Sequence, residues 1–358
     1  MALPAAALAA IFLTATVVLA GDNTPLPAAK GQVNSWFSQN VKPYPRAGLD
    51  PALAEAEKGA KVIRVRKDGS GDFKTINDAV KTIPSGNSKR VTISIGPGEY
   101  NEKVTIDKSF VSLVGTAGAM PTITYGGTAK KYGTVDSATV IVLAPYFIAA
   151  NLIIKNSAPR PDPAKKDGQA LAFRINADKG AFYNVRFIGF QDTLCDDRGN
   201  HFFKDCYIEG TVDFIFGRGT SLYVNTELHC IGDKGLTVIT AQGRDKANIN
   251  TGYVFAHGTI TGNGRGTVFL GRLWGSMPRV IYAYTDMSSV VQPEGWNDNF
   301  KPQSHGQVFY GEYQNKGPGA TKTGRVKYSR ELTQAEVSPF LTLGFIKASH
   351  WLLPPPRV

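Results

Sequence analysis

The feature that most constrains the fold is a nine-residue pattern that recurs about every 20 residues. Three segments align without gaps, namely NVRFIGFQD at 184–192, DCYIEGTVD at 205–213 and NTELHCIGD at 225–233. Each begins with Asn or Asp and ends with Asp, and successive starts are 21 and 20 residues apart. The segment NLIIKNSAP at 151–159 matches the first half of the pattern. A short strand that recurs at this period indicates a solenoid whose coils stack in parallel.

The chain from residue 61 onward fits an all-β fold class. Short runs of β-branched and apolar residues alternate there with Gly, Asn and Asp, which is typical of short strands joined by tight turns. One amphipathic helix is predicted at 75–84, with capping-box spacing between Thr75 and Asp78 and a stop at Pro84. We therefore predict a parallel β-helix over 61–345, with one short N-terminal helix and extended terminal segments.

The two ends of the chain differ from the repeating part. Residues 1–20 form an apolar run without charge after Met1, which is typical of a secretory signal peptide cleaved near Ala20, and a membrane anchor is the alternative. Residues 21–60 are rich in Pro and Ala, and we expect an extended arm on the surface. Residues 346–358 are expected to form a C-terminal tail. The sequence predicts a secreted protein that has no membrane association after signal cleavage.

Composition limits the classes of partner. The 358 residues include 40 Lys and Arg against 29 Asp and Glu, which is a formal net charge of +11. The sequence has no nucleic-acid-binding signature, so nucleic acid is not expected as a partner. An acidic polysaccharide is the better candidate for a secreted basic protein, and a purely solubilising role of the charge is the alternative. Three cysteines are too few for a disulfide scaffold, and we expect Cys206 to lie unpaired in the core.

The repeat brings two carboxyl groups to one point on neighbouring coils. Asp192 and Asp213 each end a nonamer, so their Cα atoms should lie about 5 Å apart. Two carboxyls this close do not both ionise readily, so the pKa of one rises while the other stays charged. Such a pair can supply a nucleophile and a general acid/base. Arg272 could keep Asp213 ionised, and the Gln191 amide could donate to an oxyanion.

Five short motifs occur in the order known for one enzyme family. They are GEYNE (98–102), GQALA (168–172), QDTL (191–194), DFIFG (213–217) and LGRLW (270–274). In these motifs the chain resembles the plant pectinesterases, or pectin methylesterases, in their short form without an inhibitor-like pro-domain. The resemblance covers roughly residues 61–345 and implies a right-handed single-stranded parallel β-helix.

The resemblance also implies a reaction, a compartment and roles for individual residues. The reaction is hydrolysis of galacturonate methyl esters in pectin during cell-wall modification, which releases methanol and leaves free carboxylates. The implied partners are methyl-esterified homogalacturonan and a proteinaceous pectinesterase inhibitor, and we expect a monomer in the extracellular cell wall. No metal or organic cofactor is implied. The implied roles are nucleophile for Asp213, general acid/base for Asp192, oxyanion donor for Gln191 and Gln169, orientation of Asp213 for Arg272, and substrate contact for Trp274, Phe216 and Trp296.

Two positions depart from the family pattern. Leu273 stands where the motif usually has Pro, which frees φ and restores a backbone N–H. We therefore expect Arg272 and Trp274 to be held less rigidly than in the family. Cys195 follows QDTL where many members have Tyr, so one aromatic contact with the polymer is expected to be absent.

Other functions remain open at this point. One alternative is another β-helix enzyme of pectin, either a calcium-dependent lyase or a polygalacturonase. A calcium site could use Asp192, Asp196 and Asp197, although we expect Asp196 and Asp197 to lie in a solvated loop. The other alternative is a non-catalytic wall protein that binds pectin by charge.

Overall fold

The computed structural model describes residues 22–162, 167–232 and 234–357. The signal peptide predicted at 1–20 lies outside the described residues. The helices are α1 (Val33–Asn40), α2 (Pro51–Lys58), α3 (Ile76–Lys81), α4 (Ala129–Tyr132) and α5 (Gln334–Val337). The strands are β1 (Lys61–Val65), β2 (Val91–Ile95), β3 (Glu99–Asn101), β4 (Val104–Ile106), β5 (Val111–Val114), β6 (Thr122–Tyr125), β7 (Val140–Val142), β8 (Ile148–Asn156), β9 (Phe173–Ile175), β10 (Gly180–Ile188), β11 (Leu194–Asp196), β12 (Asn200–Lys204), β13 (Tyr207–Gly210), β14 (Ile215–Gly217), β15 (Thr220–Val224), β16 (Glu227–Ile231), β17 (Thr237–Gln242), β18 (Gly252–Ala256), β19 (Thr259–Asn263), β20 (Val268–Arg272), β21 (Arg279–Ala283), β22 (Asp286–Met287), β23 (Trp296–Asn297), β24 (Phe309–Tyr313) and β25 (Ser329–Glu331).

These strands stack into three columns in which neighbours pair in parallel. The first column is β1-β2-β5-β8-β10-β12-β15-β18-β21-β24-β25. The second is β3-β6-β8-β10-β13-β16-β19-β22, because the long strands β8 and β10 continue from the first column into it. The third is β4-β7-β9-β11-β14-β17-β20-β23. The architecture is a three-sided parallel β-helix, which confirms the predicted fold class.

The nonamer repeat coincides with the coil repeat. Strands β10, β13 and β16 pair in the register that the repeat predicts. The first residue of each nonamer turns the corner into the second column with a left-handed backbone, at φ 51° for Asn184, 57° for Asp205 and 51° for Asn225. Asn and Asp tolerate this conformation better than other side chains that carry a Cβ, which explains why the pattern begins with them.

The interior of the helix contains a ladder of stacked aromatic rings. Successive ring centroids lie 4.4, 4.3, 4.5 and 4.8 Å apart, close to the spacing of paired strands. The stacked rings belong to Phe182, Phe203, Tyr223, Phe255 and Tyr282. Because the ladder stacks one large side chain per coil, it keeps neighbouring coils in register where the site lies. The three cysteines are free and buried, which confirms that Cys206 is unpaired.

The segment predicted as an extended arm contains helices instead. Helices α1 and α2 bury Val33, Trp36 and Leu53 in an apolar cluster that also contains Phe202 and Leu222 of the first column. The prediction was wrong because the Pro and Ala content concealed two helical patterns, one of which has Pro51 in its first turn, where proline is tolerated.

The C-terminal segment also packs onto this cluster. Trp351, Leu352 and Leu353 are buried there, and the Ser349 N–H donates to Asp22 Oδ1 at 2.8 Å. The expected tail is therefore a tightly packed part of the structure over the described residues. These apolar side chains cover the outer face of the first column, which would otherwise expose hydrophobic surface.

The one helix that was predicted is present. Helix α3 spans Ile76–Lys81, and the Thr75 hydroxyl accepts from the Asp78 N–H at 3.1 Å, which confirms the predicted N-cap. Its buried residues Ile76, Ala79 and Val80 join the main core. None of the described helices combines the length and apolar character needed to cross a bilayer.

Candidate active site

Asp192 and Asp213 occupy equivalent places on adjacent coils, as the repeat predicts. Leu194 of β11 pairs with Ile215 of β14, and each Asp lies two residues before its strand. The Asp192 N–H donates to the Val212 carbonyl oxygen at 3.0 Å, which extends the pairing of the two coils to this point. Both aspartates have a left-handed backbone, with φ of 63° and 51°. Their exposed fractions are 8% and 6%, so both carboxyl groups are largely shielded from water.

Arg272 reaches Asp213 from two coils away. It is the last residue of β20, which is joined to β14 through β17. Its Nε donates to Asp213 Oδ1 at 2.7 Å, and its Nη2 donates to Oδ2. Burial lowers the pKa of Arg272, but the hydrogen bonds and charge of Asp213 outweigh it, and the pKa lies above its ordinary value. The bidentate pair fixes the plane of the carboxylate with two charge-assisted hydrogen bonds.

Asp192 has a very different environment. Burial raises its pKa well above the ordinary value, the charge of Asp213 raises it further, and Arg272 opposes both effects. No side chain within the described ranges donates a hydrogen bond to its carboxyl group. A carboxyl group in this setting keeps its proton at a pH where an exposed Asp would lose it, so it can donate that proton to a leaving group.

The two glutamines lie beside this pair on neighbouring coils. The Ala170 N–H donates to the Gln191 carbonyl oxygen at 3.2 Å, which joins the two segments, and the Gln169 carbonyl oxygen accepts from Ala129. The Gln169 side-chain oxygen is buried and has no hydrogen-bond partner in the described part of the chain. Gly168 has no side chain, and a Cβ there would lie 2.8 Å from Gln191 Oε1. Neither side-chain NH2 group donates a hydrogen bond within the described part of the chain, so both can donate to a ligand, whereas the unpartnered Gln169 oxygen can only accept.

Two of the three predicted aromatic contacts are close together. Trp274 follows β20 and is 42% exposed, and its ring lies edge-on to the buried ring of Phe216, with centroids 6.5 Å apart. The Arg218 guanidinium carbon lies 5.7 Å from the Trp274 ring centroid. Phe216 also belongs to a small apolar cluster with Cys195. Cys195, at the position where the family often has Tyr, is thus a packed and buried residue.

Trp296 is not where the resemblance implied. It is 1% exposed, stacks on Tyr310 with centroids 4.2 Å apart, and donates from its indole nitrogen to Glu312 Oε1 at 3.2 Å. Its strand, β23, pairs with β20, and the side chain faces the interior of the coil. A substrate contact by Trp296 was a wrong expectation, because a core side chain has no surface to offer to a polymer.

Asp196 also differs from its prediction as part of a solvated loop. It is the fully buried last residue of β11, where its carboxylate is paired with His201 Nδ1 and accepts from the Tyr223 hydroxyl at 2.5 Å. His201 Nε2 faces the Ala177 carbonyl oxygen at 2.7 Å. Burial lowers the pKa of His201, but Asp196 outweighs it and the pKa is raised. Both ring nitrogens face oxygen acceptors, which favours the doubly protonated ring. No group of three His, Cys, Asp or Glu side chains that could hold a metal occurs within the described ranges.

Leu273 forms a backbone hydrogen bond that a proline at this position could not form. Its N–H, which a proline would lack, donates to the Asn297 carbonyl oxygen at 3.0 Å. Its side chain is fully buried in the main core. This hydrogen bond holds the backbone between Arg272 and Trp274, and the expected difference in rigidity from the family stays a prediction.

Comparisons with known proteins agree with this geometry. The model of the pectinesterase family matches residues 62–349. Probable pectinesterase 50 of Arabidopsis thaliana is 57% identical over 351 residues, which cover 97% of this chain and 96% of that protein. The structure of the pectin methylesterase from carrot has a TM-score of 0.73 at 30% identity and covers 80% of this chain and 95% of its own. A pectin methylesterase in complex with hexasaccharide VII has a TM-score of 0.71 at 28% identity, covering 82% and 98%. The chain is therefore a member of the pectinesterase family and a carboxylic ester hydrolase.

Proposed function

We propose that the chain hydrolyses the methyl esters of pectin through a covalent intermediate on Asp213. The observation that carries the proposal is the contrast between two equivalent carboxyl groups on adjacent coils. Asp213 is bound in a bidentate pair by Arg272, while burial and the neighbouring charge raise the pKa of Asp192. One carboxylate is held as a nucleophile, and the other group keeps a proton to give away.

The first half of the reaction forms the acyl-enzyme. An oxygen of Asp213 attacks the ester carbonyl carbon, and the carbonyl electrons move onto the carbonyl oxygen. The side-chain amides of Gln191 and Gln169 donate hydrogen bonds to this oxyanion. As the tetrahedral intermediate collapses, the bond to the methoxy oxygen breaks and Asp192 gives its proton to that oxygen. Methanol leaves, and the galacturonyl group is joined to Asp213 as an anhydride.

The second half restores the enzyme. Asp192, now a carboxylate, takes a proton from water while the water oxygen attacks the galacturonyl carbonyl carbon. The bond to Asp213 breaks and returns the electron pair to its carboxylate, which Arg272 holds as before. The products are methanol and a galacturonic acid residue that loses its proton to the solvent. Asp192 is protonated again and can start another cycle.

The sugar-binding surface is assigned to the aromatic pair at the site. Half-exposed Trp274 offers a flat apolar face to a sugar ring, and the buried ring of Phe216 packs edge-on against Trp274. The net charge of +11 suits a polymer that becomes more anionic as its esters are removed. The related pectin methylesterase solved with a hexasaccharide supports an extended sugar ligand for this fold.

The arrangement of these residues fits the alternative functions less well than it fits ester hydrolysis. An inverting polygalacturonase needs carboxyl groups about 6.5–9.5 Å apart, which is wider than the spacing between adjacent coils. A non-catalytic pectin-binding protein has no use for a buried carboxyl group without a partner, because burial of such a group costs free energy. Unsaturated products would favour a lyase, and new reducing ends would favour a polygalacturonase.

Substitution of the nucleophile tests the proposal. Asp213→Asn keeps the size of the side chain and the left-handed backbone, but the amide is a poor nucleophile, so we expect methanol release from highly methylated pectin to fall by about 10⁴-fold or more. The variant should keep a cooperative thermal transition, which separates loss of chemistry from loss of folding. Methanol release at the wild-type rate would remove Asp213 from the mechanism.

The compartment and the partners of the enzyme are part of the same proposal. The uncharged apolar run at 2–20 would direct the chain to the secretory route, and the enzyme would then act in the cell wall. We propose that it acts there as a monomer and that a proteinaceous inhibitor binds it. Sequencing of the mature N-terminus should begin near Gly21. A secreted protein that retains residues 1–20 would contradict the signal-peptide assignment.

A further inference from the structure

A loop at the end of β23 holds the segment that carries Arg272 and Trp274. We call residues 297–301 the bracing loop. Its Lys301 Nζ donates to the Trp274 carbonyl oxygen at 2.7 Å. Its Asn297 carbonyl oxygen accepts from the Leu273 N–H, as described above. The bracing loop thus contacts the backbone at Leu273, where the family motif usually has Pro, and at the next residue, Trp274.

Asn299 lies at the centre of the bracing loop and contacts Arg272 itself. Its Oδ1 accepts from Arg272 Nη1 at 2.9 Å, and its Nδ2 donates to the Leu273 carbonyl oxygen at 3.0 Å. Its own N–H donates to Asn297 Oδ1 at 2.7 Å. The backbone of Asn299 is left-handed, with φ 50°, which Asn adopts at little cost. The side chain therefore links the guanidinium group to the backbone that carries it.

The guanidinium group needs this third contact for a defined orientation. Its Nε and Nη2 are used on Asp213, and a planar group held along one edge can still tilt about that edge. The contact from Nη1 to Asn299 lies on another edge of the same plane and removes this freedom. A displacement of about 1 Å at a reacting group can lower a rate about 100-fold, so such a restraint has consequences for catalysis.

We propose that Asn299 is a positioning residue for the ester hydrolysis and that it acts through Arg272. In this chain the bracing loop supplies the rigidity that the family motif usually takes from Pro, because Leu273 leaves an N–H that the loop can bind. The inference rests on the proposed function, since Arg272 matters for the rate only if Asp213 is the nucleophile.

The experiment compares two Asn→Gly variants. Asn299→Gly removes the side chain and keeps the left-handed backbone accessible, and Asn225→Gly does the same at φ 51° on a corner of the helix that holds no site residue. We expect Asn299→Gly to lower kcat for methanol release roughly 10- to 100-fold with KM changed less than about twofold. Asn225→Gly should keep the wild-type kcat. A kcat within about twofold of wild type for Asn299→Gly would overturn the inference.

A double-mutant cycle shows whether the effect passes through Arg272. Arg272→Lys lacks the Nη1 donor, so adding Asn299→Gly to it should lower kcat less than about twofold. The same loss in both backgrounds would mean that Asn299 acts elsewhere, and the inference would be wrong. Wild type and Asp213→Asn are measured in the same series. Failure of the proposed function would appear as equal rates for those two proteins, whereas failure of this inference appears as equal rates for wild type and Asn299→Gly.

Discussion

Two buried carboxylates on adjacent coils, Asp196 and Asp213, are each paired with a basic side chain, yet their surroundings differ. The carboxylate of Asp196 binds His201 and also accepts from the Tyr223 hydroxyl. The second nitrogen of His201 is in turn satisfied by a carbonyl oxygen. Every polar group of this inner network has a partner within the protein, and both members of the ion pair are fully buried. Such a network stabilises one packing of the core.

The outer pair, Asp213 with Arg272, lies among groups that are left without partners. The carboxyl group of Asp192 receives no side-chain hydrogen bond from the described residues, and the Gln169 oxygen is buried without a partner there. Buried polar groups are normally satisfied, so a ligand bound beside Asp192 and Gln169 could supply the hydrogen bonds that these two groups lack. The comparison distinguishes a carboxylate whose hydrogen bonds are complete within the protein from groups that we propose bind the substrate.

The largest difference in rate should appear when Asp192 and Asp196 are each replaced by Asn, one at a time. Asp192→Asn cannot give a proton to methanol, so we expect kcat to fall by about 10²- to 10⁴-fold. Asp196→Asn should leave kcat within about twofold of wild type when the rate is expressed per folded protein. Methanol release provides the measurement. Equal losses in the two variants would mean that the Asp192 carboxyl group matters no more for the rate than the Asp196 carboxylate.

The amides beside the outer pair should show a smaller effect on the rate. Gln169→Ala removes one donor to the oxyanion, which typically lowers kcat about 10²- to 10³-fold. The loss should appear mainly in kcat because the oxyanion exists only on the reaction path. Steady-state kinetics on methylated pectin distinguish this result from a pure rise in KM, which would assign Gln169 to ground-state binding.

The inner network should dominate stability. Asp196→Asn leaves a buried His201 without its counter-charge, and we expect the free energy of unfolding at pH 6 to fall by on the order of 3 kcal/mol. The folded pKa of His201 is raised, so the stabilisation is complete below the unfolded pKa of about 6.5 and is lost as pH rises through the folded pKa. Denaturant unfolding at pH 6 and pH 9 should therefore show a smaller difference from wild type at pH 9.

The smallest expected effect is on the melting temperature, and it comes from the buried carboxyl group of Asp192. The folded pKa of Asp192 is raised, so the wild type loses stability as pH rises from the unfolded pKa of about 3.9 through the folded pKa. Asp192→Asn has no proton to lose and should melt a few degrees above wild type at pH 7. The two melting temperatures should converge at pH values below 3.9. A lower melting temperature for the variant at pH 7 would indicate that Asp192 stabilises the fold.

The repeating part of the molecule was readable because its geometry is periodic. One nonamer offset predicted both the strand register and the equivalence of Asp192 and Asp213, since stacked coils carry a sequence period directly into space. The ordered motifs then predicted which other side chains surround the pair. Trp274 and Phe216 were found together, and Arg272 was found on Asp213.

The wrong predictions concern residues whose contacting side chains are distant in sequence and follow no repeat. Asp196 was predicted to lie in a solvated loop because it is a polar residue. Nothing near it in sequence shows that Tyr223, 27 residues later, donates a hydrogen bond to it within the core. The family resemblance implied a substrate contact for Trp296, but the direction of its side chain depends on how β23 pairs with β20. The bracing loop was missed for the same reason, since Asn299 and Arg272 are 27 residues apart and share no pattern.

The sequence by itself determined the coil period, the family and the two aspartates, because these depend on spacing along the chain and on ordered motifs. Only the tertiary structure decided which polar side chains have hydrogen-bond partners within the protein and which stay free to bind a ligand. That outcome depends on the few ångströms between side chains of different coils and loops, where a hydrogen bond forms or does not. These short distances set the difference between the buried Asp196 network and the Asp192 carboxyl group, to which no described side chain donates a hydrogen bond.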